Sequence, residues 1–330
     1  MQNISEIVSF HQADLNKVNQ IILENSIGKS DLILQIAENL INSGGKRIRP
    51  LLLIICSKLC GSKPSDVYLN LAAAVEMIHS ATLLHDDVVD TSEIRRGKKT
   101  ANAIWDNKAS ILVGDYLFSL SFQLMVKSQN LAVLDLLSKT SSIIADGEVL
   151  QLQNSHNLNI TEEKYFEIIF GKTAVLFSAC CEVGGLINNL DSTKIIALKN
   201  LGRNIGMIFQ IIDDILDYSS NQNILGKEIG NDFFEGKITL PIIKTYQLAN
   251  HQEKKNIEEI FTKNLVGNDK NFDDFNKILN LISKYQASEK CQEIAISLAN
   301  HAKNELKLFE PNIFYHQLKN IIDYSLQRIS

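Results

Sequence analysis

Apolar positions recur at helical spacing along almost the whole chain, separated by short polar segments that mark turns. Residues 1–43 read as two amphipathic helices broken near Ser26–Ser30, with Ser30 placed to cap the second. The glycine-hinged "SGGKRIRP" follows, and Pro50 falls in the first turn of the next helix, where its missing N–H is tolerated. Ser65 and Asp66 open another helix, in which Glu76 is the only charge between Val67 and Leu84. A helix apolar nearly all round belongs at the centre of a bundle. After the polar, basic loop "TSEIRRGKKT" the helical pattern resumes from about Ser110 through Gln153. Two long helices are expected at about 161–189 and 193–220, and four or five ordinary ones across 241–330. Between them lies "SSNQNILGKEIGNDFFEGKITLP", whose length is that of a functional lid or a disordered segment, and 219–237 is the candidate lid. With no linker, low-complexity tract or short repeat, the pattern predicts one all-α domain spanning residues 1–330.

Composition narrows the picture. The 330 residues are 45% hydrophobic and include only four prolines, none between Pro64 and Pro241, which favours long helices. A net charge of -5 argues against a general nucleic-acid binder but leaves room for a small phosphorylated ligand held by a few local cations. The five cysteines, with no C-x-x-C pair, read as buried thiols in a reducing compartment. The N-terminal residues lack a secretory pattern, and the longest apolar run, near "PLLLIIC", falls short of the ~20 residues of a membrane span. A cytoplasmic protein without a transmembrane segment is the expectation.

Two apolar helices end in the same acidic pattern: "LLHDDVVD", with Asp86, Asp87 and Asp90, and "FQIIDDILDY", with Asp213, Asp214 and Asp217. Like charges one helical turn apart repel, and two chance matches arise roughly once in a thousand such chains. Something cationic must therefore sit between them, either a divalent metal or Lys and Arg side chains. Oxygen ligands without His or Cys at metal spacing favour Mg²⁺, which usually bridges to substrate phosphates. Lys46, Arg47, Arg49, Arg95, Arg96, Lys172, Lys227 and Lys237 stand in short motifs near acids, glycines and helix ends, as clamps on a polyphosphate would. The expected site is two acidic clusters facing each other through Mg²⁺ and a diphosphate at the mouth of a central apolar cavity. Such a cavity suits an amphiphile with a hydrocarbon tail and a diphosphate head.

The motifs "GGKRIRP", "LLHDDVVD", "RRGKKTAN", "GDYLF", "GKTAVLF", "FQIIDDILDY" and "GKEIGNDFFEGKITLP" resemble, in order, those of trans-polyprenyl diphosphate synthases, most closely the long-chain, octaprenyl-type members. The resemblance covers about residues 40–245 strongly and the remainder weakly. It implies an isoprenoid-synthase-type helical bundle, usually a homodimer, with isopentenyl diphosphate and an allylic prenyl diphosphate as substrates and peripheral membrane contact for product release. By position it assigns Asp86, Asp90 and Asp213 as principal Mg²⁺ ligands, supported by Asp87, Asp214 and Asp217. Lys46, Arg49, His79 and Arg96 match the isopentenyl diphosphate site. Arg95, Lys172, Thr173, Gln210, Lys227 and Lys237 match the allylic site, with Lys172, Thr173 and Gln210 closest to the chemistry. Small residues at Ala81 and Thr82, where short-product members carry an aromatic, leave room for a long tail to run toward Ile78 and Met77. One departure is Asp106 in "WDN", where relatives commonly have a glycine that supplies a positive φ.

The expected reaction is head-to-tail prenyl transfer from a farnesyl or geranyl starter, giving an octaprenyl diphosphate for a quinone side chain such as that of ubiquinone. The released diphosphate is the expected proton acceptor, since no motif offers an obvious base. A geranylgeranyl-type synthase and a non-catalytic subunit of a heteromeric synthase are the alternatives. A terpene cyclase usually lacks the second acidic motif and "GGKRIRP", and non-catalytic subunits typically lose motif aspartates or arginines, all of which are present here.

Overall fold

A computed structural model of the chain describes residues 3–28, 30–63, 65–95, 97–219, 229–266 and 271–328. In chain order the helices are α1 (Ile4–Phe10), α2 (Gln12–Ser26), α3 (Asp31–Asn42), α4 (Ile48–Leu59), α5 (Asp66–Val89), α6 (Ala101–Ile104), α7 (Asn107–Lys127), α8 (Leu131–Gln153) and α9 (Glu162–Ile169). They continue with α10 (Val175–Leu186), α11 (Ser192–Asp217), α12 (Asn231–Phe234), α13 (Leu240–Leu248), α14 (His251–Val266), α15 (Phe272–Lys284), α16 (Ala287–Leu306) and α17 (Ile313–Gln327). By contact the chain divides into two compact units. The first comprises Met1–Ser141, Leu176–Gly202 and Lys303–Ile321; the second comprises Ser142–Val175, Arg203–Ala302 and Ile322–Ser330.

The first unit is organised around α5. Its Ala72, Ala73, Ala74, Val75, Met77 and Ile78 are wholly buried, as an almost uncharged helix requires. It packs chiefly against α7 and then against α4 and α2. Both α5 and α7 are long and apolar enough to cross a membrane, but 72% of the α5 window is buried inside the protein, marking it as a core helix. The lone charge, Glu76, is only 5% exposed and pairs with Arg47.

Several boundaries differ from the hydrophobic pattern. The first segment forms three helices, because buried His11 turns the chain and hydrogen-bonds Gln317 at 2.9 Å. Ser30 takes the N-cap position of α3 without a side-chain capping bond. The helical stretch after Ser110 breaks at Gln129, which has φ of 52° and is followed by Asn130, whose Oδ1 accepts from the Val133 N–H. Within "TSEIRRGKKT" two short strands, β1 (Ile94–Arg95) and β2 (Lys98–Lys99), pair antiparallel, with Arg95 opposite Lys98. Asp106 does adopt a positive φ, 128°, and its carboxylate offsets part of that strain by accepting the Ala109 N–H at the start of α7.

In the second unit, α13 packs against α9 and α15, and Phe233 meets Phe261 and Phe275 at ring separations of 5.3 and 5.4 Å. Thr161 caps α9, which passes into a π turn at Phe170–Ala174 that the hydrophobic pattern does not announce. Such turns displace one residue from the helical ladder and are frequent at functional sites. Residues 219 and 229–237 of the expected lid are described and include α12; 220–228 lie outside the described residues.

Candidate active site

In the first unit, Asp86 and Asp87 lie in the last turn of α5 and Asp90 is its C-cap. Asp87 is 3% exposed, and Arg95 binds it through Nε and Nη2, both 2.8 Å from Oδ1. The β1–β2 pairing fixes the backbone of Arg95, so this guanidinium neutralises the buried carboxylate. Two residues expected at the isopentenyl diphosphate site come together on neighbouring helices: Arg49 Nη1 donates to His79 Nε2 at 3.0 Å. The Arg49 guanidinium also stacks 4.7 Å from the Phe177 ring centroid. Lys46 is exposed just before α4. Arg47, grouped by sequence with the phosphate clamps, serves the fold: with a left-handed backbone it bonds Glu76 and the Ile41 carbonyl. Ala81, Ile78 and Met77 line up along α5 at 1%, 0% and 0% exposure. Arg96 lies outside the described residues.

The second unit gathers more of the expected site into one place. A cleft is lined by Lys172, Gln210, Asp214 and Lys237, with Tyr165 and Asp232 among its walls. Lys172 and Thr173 come from the π turn, where α8 and the turn meet backbone to backbone. A Cβ on Gly147 would lie 2.7 Å from the Lys172 nitrogen, and one on Gly171 would lie 3.0 Å from the Gly147 Cα. That approach brings Lys172 Nζ within 2.8 Å of both Glu148 Oε2 and Gln151 Oε1 on α8. A hydrogen-bonded chain then crosses the cleft floor. The Thr173 hydroxyl donates to Gln210 Oε1 at 2.6 Å, and Gln210 Nε2 donates to Asp214 Oδ1 at 2.8 Å. The Tyr165 hydroxyl donates to Asp214 Oδ2 at 2.6 Å. Burial is the chief force on Asp214, and with Asp232 nearby it pushes this carboxyl well above the usual range, despite those two donors. Burial likewise drives the Tyr165 phenol upward.

Asp217 accepts the backbone N–H groups of Asn231 and Asp232 at 3.1 and 3.0 Å, fixing the start of α12. Lys237 pairs with Glu235 at 2.5 Å. Its neighbour Gly236, at φ 71°, sits on the His156 ring, which a Cβ would meet at 2.1 Å. Asp213 is 32% exposed and accepts from Arg328 Nη2 at 2.5 Å. Lys227 lies outside the described residues.

The donor set fits a hard divalent cation. Among the described residues no three His, Cys, Asp or Glu side chains are assembled to hold a metal. Mg²⁺ needs only one or two carboxylates when phosphate oxygens and water complete its shell. In the first unit Asp86 and Asp90 on α5 would supply them, and in the second Asp213 on α11; Asp87 is held by Arg95, Asp214 by Tyr165 with Gln210, and Asp217 by the α12 amides. Sequence reasoning missed Tyr165, Glu148, Gln151 and Arg328. Of these only Glu148 and Gln151 carried a local signal, a polar pair three residues apart on one helix.

Residues 30–282 match the family model described as polyprenyl synthetase. The chain is 42% identical over 241 residues to octaprenyl diphosphate synthase of Escherichia coli (strain K12), covering 73% of this chain and 74% of that protein. It is 34% identical to an all-trans-nonaprenyl-diphosphate synthase of Rhodobacter capsulatus, over 96% and 95% of the two chains. Among solved structures, a decaprenyl diphosphate synthase from Rhodobacter capsulatus superposes with a TM-score of 0.93 at 39% identity, covering 99% of both chains. A polyprenyl synthase from Caulobacter crescentus CB15, complexed with calcium and isoprenyl diphosphate, gives 0.92 at 39% identity, over 98% of this chain and 97% of that one. Seven ordered motifs, a helical fold and matches spanning nearly the whole chain agree: the chain belongs to the polyprenyl synthetase family of prenyltransferases.

Proposed function

We propose that this protein is a long-chain trans-prenyltransferase. It condenses isopentenyl diphosphate units onto a farnesyl or geranyl diphosphate starter, with octaprenyl diphosphate as product and a quinone side chain as its use. The observation that carries the reading is the cleft of the second unit, where Lys172, Gln210 and Lys237 converge beside the second acidic cluster. In this reading Lys172 and Lys237 hold the allylic diphosphate, and the Thr173–Gln210–Asp214 chain keeps Gln210 oriented toward it. Asp86 and Asp90 in the first unit, and Asp213 in the second, would hold Mg²⁺, which when bound would supply charge neutralisation for the departing diphosphate. Arg49, with His79 and Lys46, holds isopentenyl diphosphate, whose double bond attacks the allylic carbon. The released diphosphate accepts the proton then lost.

The octaprenyl length draws support from the octaprenyl synthase relatives and from Ala81, a small residue five positions, about 7.5 Å, before Asp86 on α5. The protein is read as cytoplasmic and as a homodimer. The apolar Ile111, Leu112 and Val126 exposed on α7 favour the second point. The test is product analysis with the purified protein alone, isopentenyl diphosphate and farnesyl or geranyl diphosphate. Chains of about forty carbons are expected; twenty carbons would make it a geranylgeranyl-type synthase, and no product would make it a partner-dependent subunit. Ala81→Phe should shorten the product to about twenty carbons or fewer while the first condensation persists, since each helical turn of about 5.4 Å accommodates roughly one isoprene unit. An unchanged length in a folded, active variant would show that the tail takes another route.

A further inference from the structure

Arg328 directly follows α17, and its setting differs from that of the other arginines near acids. Arg47 and Arg95 are tied to Glu76 and Asp87, carboxylates buried in the first unit. Arg328 instead reaches Asp213, the one carboxylate of the second acidic pattern that is neither buried nor engaged by backbone amides. Its guanidinium carbon lies 3.9 Å from the ring centroid of Phe209, one turn before Asp213 on α11. One arm, Nη2, donates to Asp213 Oδ1 at 2.5 Å. The other, Nη1, is buried and has no hydrogen-bond partner. A guanidinium is a planar fork suited to two oxygens at once, and a buried donor left unmet is costly. The unmet arm is left to take a further oxygen.

We propose that Arg328 is a displaceable counter-ion. It occupies the Asp213 carboxylate in place of a divalent cation and hands that carboxylate over when a diphosphate, offering oxygens to both arms, draws the guanidinium away. The inference rests on Asp213 being a metal ligand. It makes cation and diphosphate binding mutually reinforcing, because Arg328 must leave Asp213 before the cation can take it. Arg328 is thus a positioning residue whose role is to keep the cation off the second cluster until the anion is present.

The experiment is a titration of the purified full-length protein with Mn²⁺, followed by the electron paramagnetic resonance signal of the unbound ion. It is run with and without inorganic diphosphate, the ion's own complex with diphosphate being subtracted. Arg328→Gln should bind Mn²⁺ without diphosphate about tenfold more tightly than the parent, and the gain conferred by diphosphate should shrink by a similar factor. Arg328→Lys, which keeps the charge, should stay near the parent. Phe209→Leu, which loosens the guanidinium without removing it, should give a smaller shift of about threefold in the same direction and serves if Arg328→Gln does not fold. Combining Asp213→Asn with Arg328→Gln should abolish the gain. Unchanged Mn²⁺ affinity in folded Arg328→Gln, or in Phe209→Leu where it stands in, overturns the proposal; if Asp213→Asn alone still weakens Mn²⁺ binding with diphosphate present, Asp213 remains a ligand. If Asp213→Asn has no effect on Mn²⁺ under either condition, the ligand assignment falls and the proposal with it.

Discussion

The two acidic patterns are spelled alike and built differently. At the end of α5, the central Asp87 is buried against a full positive charge, Arg95, carried by a strand pair. Near the end of α11, the central Asp214 is buried against neutral donors, Tyr165 and Gln210, and the outer Asp217 is spent on organising α12. One pattern is settled by charge compensation, the other by hydrogen bonding with the carboxyl pushed upward. A repeated motif therefore does not imply a repeated micro-environment. What the two share is a half-buried first aspartate, beside a central one that is buried.

The largest effect should come from that shared position. Asp86→Ala and Asp213→Ala should each lower turnover by about a thousandfold or more while leaving the protein folded, as seen in steady-state rates alongside circular dichroism. If either variant stayed within tenfold of the parent, the two patterns would not be equivalent in function. Next comes the difference between the central aspartates. Arg95→Met strips a buried carboxylate of its cation and should cost about 3 kcal/mol of stability in urea unfolding. Tyr165→Phe removes one neutral donor and should cost about 1–2 kcal/mol. Reversal of that order would mean that Asp87 does not depend on its cation more than Asp214 depends on its neutral donors.

A kinetic comparison tests the proposed division into two diphosphate sites. Arg96→Ala should raise the apparent KM for isopentenyl diphosphate roughly ten- to a hundredfold with little change for the allylic substrate, and Lys172→Ala should do the reverse. Equal effects on both substrates would refute the division. The smallest effect concerns pH. With its folded value well above the ordinary 3.8, Asp214 holds its proton in the native state at pH values where the unfolded chain has released it. Its contribution to stability is therefore fully present below about 3.8 and is lost as pH rises toward the folded value. In unfolding curves from pH 4 to 8, Asp214→Asn should lose less stability on going up in pH than the parent does. Parallel profiles would remove burial as the governing influence on this carboxyl.

Much of this architecture was legible because it is local. Helical periodicity located α5 and α11, the aspartates stood at one-turn spacing, and Asp106 betrayed a positive φ by standing where a glycine is usual. What escaped depends on partners distant in sequence or on backbone detail. Tyr165 meets Asp214 across 49 positions and Arg328 meets Asp213 across 115, distances over which spacing carries no information. The strand pair of Ile94–Arg95 and Lys98–Lys99 is too short to show alternation. The π turn shares its composition with any helix. Arg47 looked like a phosphate clamp because its sequence neighbours are basic, and only the burial of Glu76 shows where its charge goes.

The backbone contact between α8 and the π turn has a consequence for how this protein tolerates change. Lys172 holds its place beside Glu148 and Gln151 because Gly147 and Gly171 contribute nothing but hydrogen at the crossing. A single methyl group at Gly147, neutral in charge and nearly neutral in hydropathy, must wedge the two segments apart, and one at Gly171 must press its neighbour back by a few tenths of an ångström. A map of substitutions scored for folding would show an intolerant site at Gly147 that bears no functional group at all, next to the lysine it helps to place. Part of what places this lysine is written as missing atoms.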